Sequence, residues 1–275
     1  MDASNLGKST STLMKIRTFL VGCILAVTVL LFAHRGHGNP QALEFKSVID
    51  LTHALNAQVP TFEAGEKSPY QVKTAATVEK NGYFLREFCM PEHFGTHLDA
   101  PAHFAAGLWT VDQIPPERLV SALVVIDAVA EAKADADYQI AVEDIAKWER
   151  AHGEIPPNAV VIADTGWNSR WNSADAYRNA DAKGVKHFPG YSKDAAKFLV
   201  EGRKVNGLGI DTLSIDYGPS TDFPVHQYTM AHSIYHLENV ANLEHVPASG
   251  AMVIAAPIKL EGGSGGPVRI LALVK

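Results

Sequence analysis

The chain has 275 residues, 47% of them apolar and 20% charged, which is the balance of a globular protein with room for one large domain. A net charge of −6 without any Lys/Arg cluster argues against a nucleic-acid partner. Two cysteines, Cys23 and Cys89, are too few for a disulfide scaffold or a thiolate zinc site, and Cys89 reads as a small buried apolar residue.

Residues 1–38 read as a signal peptide or an N-terminal membrane anchor. Lys8, Lys15 and Arg17 precede an apolar run, Phe19 to Ala33, and the small residues Gly36 and Gly38 follow it. The run is shorter than the ~20 residues a spanning helix needs. The expectation is a periplasmic or secreted protein, with residues 19–33 as a membrane tether if the leader is not cleaved. Residues 39–275 then form the domain. Ser47 to Thr52 is a short strand candidate, and Gly82 to Met90 reads as a strand leading into the sequence's densest cluster of chemistry. Val120 to Val129 and Ala159 to Ala163 are β-branched and apolar, hence buried strands. Val142 to His152 has Ile145 and Trp148 at helical spacing and stops at Gly153, while Ser192 is placed to cap a helix through Val200 that closes at Gly202. Val205 to Asp216, Ala251 to Leu260 and Val268 to Val274 are strand-like, the last two flanking the turn Gly262 to Pro267. Strands outnumber helices, without regular βαβ alternation. The expected fold is a single α/β domain on a curved, mixed, barrel-like sheet with flanking helices.

The cluster is His93-Phe94-Gly95-Thr96-His97-Leu98-Asp99-Ala100-Pro101-Ala102-His103, spaced H-x3-H-x-D-x3-H. Gly95, Thr96 and Pro101 oppose a helix. In an extended segment, positions 93, 97, 99 and 103 share one face. A straight strand would hold His93 and His97 roughly 13 Å apart, too far to share an ion, so the chain must curl, and Gly95 permits it. Two imidazoles and a carboxylate suit Zn²⁺, Mn²⁺ or Fe²⁺ and leave coordination positions open.

The stretch HFGTHLDAPAH resembles the HxGTHxDxPxH signature of the cyclase-like metal-dependent hydrolases, the family of bacterial kynurenine formamidase and isatin hydrolase. The resemblance runs from about Val48 to the C-terminus and includes Asp164 to Trp167, Gly209 to Asp216, Leu237 to Leu243 and Gly266 to Arg269. It implies that His93, His97 and Asp99 bind metal, that a later histidine and Glu238 complete the site, and that His103 moves protons. By the family's spacing the later histidine is His226. His232-x3-His236-x-Glu238 copies the first motif's spacing and is a rival, because Met230, Ile234 and Leu237 suggest a helix there. If that helix ran on through Glu238, His226 would lie about 18 Å away. The His226 reading requires the chain to turn back first.

The resemblance also implies one or two divalent ions, Zn or Mn, a homodimer, and Phe62 at a substrate pocket. Trp167, Trp171 and Tyr177 either edge that pocket or pack in the core. Asp211 and Asp216 either hold histidines from behind or are solvated strand ends. The glycines of residues 262–267 lack a P-loop's Lys-Ser/Thr pair and instead let backbone approach the site. The implied activity is metal-dependent hydrolysis of a C–N amide bond in a small aryl formamide, such as N-formylkynurenine, or a cyclic amide, such as isatin. His103 would serve as acid and base. The rival readings are a cyclase or dehydratase, or a non-catalytic metal- or ligand-binding protein.

Overall fold

A computed structural model describes residues 44–275 apart from 64 and 66. The leader read over residues 1–38 lies outside the described residues. In chain order the strands are β1 (Ser47–Asp50), β2 (Gln71–Ala76), β3 (Leu85–Cys89), β4 (His97–Asp99), β5 (Val120–Asp127) and β6 (Gln139–Ile140). They continue with β7 (Val160–Asp164), β8 (Gly190–Tyr191), β9 (Gly207–Ile210), β10 (Tyr235–Glu238), β11 (Ala251–Pro257) and β12 (Gly265–Val274).

Eight of these form one sheet in the order β1-β12-β11-β5-β7-β9-β10-β4, and a further pairing of β4 with β12 closes seven of them into a barrel. Strands β5, β7, β9 and β10 run parallel, and the remaining contacts are antiparallel. Strand β12 is the closing element. Its first residues, Gly265 to Pro267, pair with β4, and its last, Leu271 to Val274, pair with β1. The expected barrel-like mixed sheet is thus the observed one.

Period-two alternation explains the two cores. In β5, Leu123 and Val125 face one apolar cluster and Val124 and Ile126 the other; in β7, Val160 and Ile162 oppose Val161 and Ala163 in the same way. The first cluster fills the barrel. The second is covered by Ile145 and Trp148 of the Val142–His152 helix and by Ala195, Ala196 and Leu199. Strands buried on both faces read as continuous apolar runs, which is why β5 and β7 are conspicuous in the sequence.

Some local expectations are corrected. The Val120 strand ends at Asp127, and Val129 opens a short helix instead. Ser192 does cap the Lys193–Lys197 helix, its side chain accepting from the Ala195 N–H. That helix does not close at Gly202: it continues as a wide turn, Phe198–Arg203, and Lys204 closes it with φ of 53°. Residues 211–216 form a buried loop rather than more strand. Cys89 is exposed, not buried. Its strand β3 pairs only with β2, in a ribbon set apart from the barrel, with the strand's residues open to solvent.

The parallel strands point their carboxyl ends to one rim. Asp164 ends β7, Asp211 follows β9 and Glu238 ends β10. In sheets of parallel strands this rim is where ligands bind, and here β4 delivers His97 and Asp99 beside it.

Candidate metal centre

The eleven-residue motif is not one extended face. Only His97–Asp99 is strand. Gly95 takes φ of 68°, in the left-handed region that favours glycine, and a Cβ there would come 2.5 Å from Leu55 Cδ2 and displace that side chain. The bend brings the His93 and His97 rings to 5.2 Å between centroids. His103 reaches the site from a 3₁₀ turn, Pro101–His103, and its ring stacks on His93 at 4.0 Å. The shared-parity expectation therefore holds for His97 and Asp99 but not for His93 and His103.

Across β4, Glu238 pairs with His97 and His236 with Asp99 in the antiparallel register. The Pro224–Ala231 helix presents His226 from the other side. Ser233, at φ of 59°, turns the chain out of that helix before β10 begins, so the reversal demanded by the His226 reading exists. His232 lies on the exposed side of this turn, with its Nδ1–H on Tyr228 O at 2.7 Å. His226, by contrast, is buried within 3.4 Å of Glu238 Oε1 and 3.6 Å of Asp99 Oδ2. The structure thus brings His93, His97, Asp99, His103, His226 and Glu238 together and leaves His232 outside.

Each imidazole's outer hydrogen bond fixes which nitrogen turns inward. His97 Nδ1–H donates to Gly95 O at 2.8 Å, leaving Nε2 bare at 3.0 Å from Asp99 Oδ1 and 3.4 Å from Glu238 Oε2. His226 Nδ1–H donates to Asp216 Oδ2 at 2.7 Å, so its Nε2 also turns inward. The Asp216 carboxylate accepts the Val225 and His226 N–H groups as well, at 2.8 and 3.0 Å. On His93 the Nε2–H donates to Ser264 Oγ at 2.9 Å, and that hydroxyl donates to Glu92 Oε2 at 2.7 Å. His93 Nδ1 is left facing Asp99 Oδ1 at 2.6 Å. Lone pairs therefore point at carboxylate oxygens from three rings, an arrangement that repels unless protons or a metal cation sit among them.

The electrostatics agree. Asp99, Asp216 and Glu238 are buried, and among the described residues no Lys or Arg pairs with any of them. Asp99 Oδ2 is buried with no hydrogen-bond partner among the described residues. Burial alone would lower the pKa of His97, but Asp99 and then Glu238 outweigh it and raise the value to about 9. Burial would likewise lower His226, yet its hydrogen bond to Asp216 leads the groups that raise it well above the ordinary value. Burial would raise Asp99; the field of His97 and the surrounding imidazole bonds drive it well below instead. A cage with surplus negative charge and inward nitrogen and oxygen donors fits a divalent cation.

The cage opens onto a cavity of about 280 Å³ walled by Phe62, Phe94, Phe104, Leu213 and Phe223. Phe62 lines this cavity, with Lys186 Nζ 3.9 Å over its ring. Trp167 and Tyr177 are buried packing residues in a cluster that Trp171 joins, and none of the three lines the cavity. Gly265 is where backbone approaches the site: a Cβ on it would fall 2.6 Å from His93 Cε1 and 2.6 Å from Leu98 O.

The family described as "Putative cyclase" matches residues 49–217. The chain belongs to this cyclase family. It is 33% identical to isatin hydrolase of Roseibium aggregatum over 242 residues, covering 82% of this chain and 91% of that protein. Kynurenine formamidase of Bacillus cereus is 25% identical over 227 residues, covering 80% of this chain and 94% of that one. Among solved structures, isatin hydrolase A from Ralstonia solanacearum superposes with a TM-score of 0.78 at 35% identity, over 83% of this chain and 92% of that one. These relatives are hydrolases, and the chain is a hydrolase of the cyclase family.

Within this cyclase-family site, several residues were not singled out from the sequence. Phe104 directly follows His103, and Phe223 directly precedes Pro224 and His226. Adjacency to a ligand candidate was the available signal for both. Glu92 and Ser264 hold His93 from 172 residues apart, which no local pattern reveals. Of the two aspartates considered as histidine partners, Asp216 is one. Asp211 instead accepts Thr165 N–H and Oγ1–H at 3.0 and 2.5 Å and Asn168 N–H at 3.2 Å.

Proposed function

We propose that this protein is a metal-dependent amidohydrolase that opens a C–N amide bond in a small aryl formamide or cyclic amide. The observation that carries the reading is the set of inward lone pairs on His93, His97 and His226 facing Asp99 and Glu238 at the floor of an aromatic-walled cavity. These five residues would hold one or two ions, Zn or Mn. A bound divalent ion would polarise the substrate carbonyl and make water more acidic at that floor.

The chain's own groups do the rest. His103 lines the cavity, open to it on one side. Packing on the other side desolvates its ring, and this lowers its pKa below the ordinary histidine value. It is therefore a neutral base at pH 7. One of its ring nitrogens takes a proton as a water oxygen bonds to the carbonyl carbon. It returns that proton to the nitrogen as the C–N bond breaks. Asp216 keeps His226 oriented, and Ser264 with Glu92 does the same for His93. Phe62, Phe94, Phe104 and Phe223 offer flat apolar walls suited to an aromatic ring, in a volume near the small end of ligand pockets.

The relatives support both substrate types, being isatin hydrolase and kynurenine formamidase by name. The test is turnover of isatin and of N-formylkynurenine by the full chain, stripped by chelator and reloaded with Zn²⁺ or Mn²⁺. Hydrolysis of either, abolished by the chelator, is the expected result. Absence of hydrolysis of both in a protein that has taken up metal rejects the substrate class.

A further inference from the structure

The parallel strands that meet the metal rim at their carboxyl ends begin at an opposite rim. Val120 opens β5, Asn158 lies two residues before β7, Asn206 directly precedes β9, and Tyr235 opens β10. A cleft of about 560 Å³ lies there, and Trp109, Pro115, Arg118, Val120, Pro157 and Asn206 are among its walls. It shares no residue with the cavity over the metal centre. Its volume falls within the roughly 300–1,000 Å³ of small-ligand pockets.

The cleft joins a spare cation to an apolar wall. Arg118 is half-buried and forms no ion pair with any carboxylate among the described residues. A guanidinium carries several N–H donors. Here a single acceptor among the described residues meets them, the Asn206 carbonyl at 3.3 Å from Nη2, and Nε is buried with no partner among those residues. Burial pulls the Arg118 pKa below the ordinary arginine value, while Tyr235 and Glu117 pull it the other way. The group stays charged, and a charge partly stripped of water without a counter-charge is costly. The fold does not call for that charge. The Tyr235 and Ser121 hydroxyls tie the segment through Arg118 O, at 3.0 and 3.3 Å, and these bonds need no guanidinium. Beside the cation stands an aromatic face, with Arg118 Cζ 5.3 Å from the centre of the Trp109 ring. Val120 adds an apolar side chain that is left exposed at the start of its strand.

We propose that this cleft is a second ligand site, for a small aromatic carboxylate that pairs with Arg118 and lays its ring against Trp109 and Val120. The planar fork of a guanidinium matches the two oxygens of a carboxylate. Glu117 also lines the cleft, so the positive charge available to a ligand is small. That suits a monoanion and works against a phosphate dianion. The indole, the valine and the prolines give the rest of the ligand an apolar bed. The site is independent of the metal centre and of its reaction.

The experiment uses the chelator-stripped full chain, so that no ion at the cavity floor competes for carboxylates. Benzoate is titrated at low salt and followed through the indole N–H resonances of the four tryptophans, with Trp109→Phe assigning the one that matters. The expected result is a saturable shift of the Trp109 resonance with a Kd of about 1 mM or tighter. Benzamide, which keeps the ring without the charge, and acetate, which keeps the charge without the ring, bind about 10-fold or more weakly. Arg118→Gln weakens benzoate by about 10-fold or more. Glu117→Gln, at an exposed position that leaves the fold alone, tightens it by about 2–5-fold. That variant decides the matter if Arg118→Gln fails to fold. Benzamide or acetate binding as tightly as benzoate overturns the inference, as does an affinity unchanged in folded Arg118→Gln protein. So does an affinity that Glu117→Gln leaves unchanged or weakens, or a Trp109 resonance unmoved by benzoate up to about 10 mM.

Discussion

At the scale of single residues, the site divides into groups that touch substrate and groups that aim them. His103 belongs to the first kind. Its ring contacts His93 and Phe104 and lines the cavity, and no hydrogen bond among the described residues ties its ring nitrogens. Removing it should leave metal content and fold intact while lowering kcat by about 10²–10⁴-fold, the usual worth of a positioned acid–base group. Steady-state kinetics beside metal analysis of His103→Ala reads both numbers. Asp216 belongs to the second kind. It accepts three hydrogen bonds from Val225 and His226, one of them the imidazole N–H that turns Nε2 inward. Asp216→Asn should weaken metal binding about 10–100-fold, measured by competition with a chromophoric chelator, and should perturb kcat at saturating metal far less. The sequence showed His93, His97, Asp99 and His103 because one short stretch holds them. It could not separate Asp216 from Asp211, because that difference depends on which side of a loop faces inward.

At the scale of elements, the closure between β4 and β12 decides the site. Gly265, Gly266 and Pro267 pair with Asp99, Leu98 and His97. In the sequence these residues read as a turn, since glycine and proline are disfavoured within strands. They are strand here because the closing strand must pass against His93 and β4 with no side chain between. Gly265→Ala would set a methyl 2.6 Å from both His93 Cε1 and Leu98 O. The Leu98 contact is with backbone, so the seam must open. A loss of about 1–3 kcal/mol is expected, together with displacement of His93 from Ser264. Urea unfolding and metal titration of Gly265→Ala test this: a neutral effect on both would mean the seam is looser than drawn. The helix ending at Ala231 teaches a related lesson. The apolar spacing of Met230, Ile234 and Leu237 suggested that the helix continued, yet Ser233 breaks it, and those side chains are buried by a turn and a strand. Periodicity reports that positions are buried more reliably than it reports what winds between them.

At the scale of the whole molecule, a half-buried histidine and a buried aspartate outside the cage make stability depend on pH in opposite senses. His53 stacks on Trp171 at 3.7 Å with planes 6° apart, and its Nε2 is buried with no partner among the described residues. Burial lowers its pKa from 6.5 to about 4. The unfolded chain therefore binds a proton that the folded chain refuses between those values. Stability from His53 is complete above pH 6.5 and is lost as pH falls toward 4, by on the order of 2 kcal/mol. Asp211 acts the other way. Burial, aided by Asp164, raises its pKa to about 7 despite the hydrogen bonds from Thr165 and Asn168. The folded chain then holds a proton that the unfolded chain releases, so this contribution is complete below about pH 4 and is lost as pH rises through 7. In the window between, the two partly cancel, against a background slope from His103 and the cage histidines that all variants share. His53→Phe keeps an aromatic stack on Trp171 and removes only the acid-side loss. Relative to the unsubstituted chain, that variant should gain less stability with rising pH across 4–7. Asp211→Asn should do the reverse, gaining more stability with rising pH over the same window. Denaturant midpoints at half-unit pH steps on chelator-stripped protein, with the double variant as reference, decide it. The single variants should depart from the double variant in opposite directions, and identical slopes in all four would remove both groups from the account.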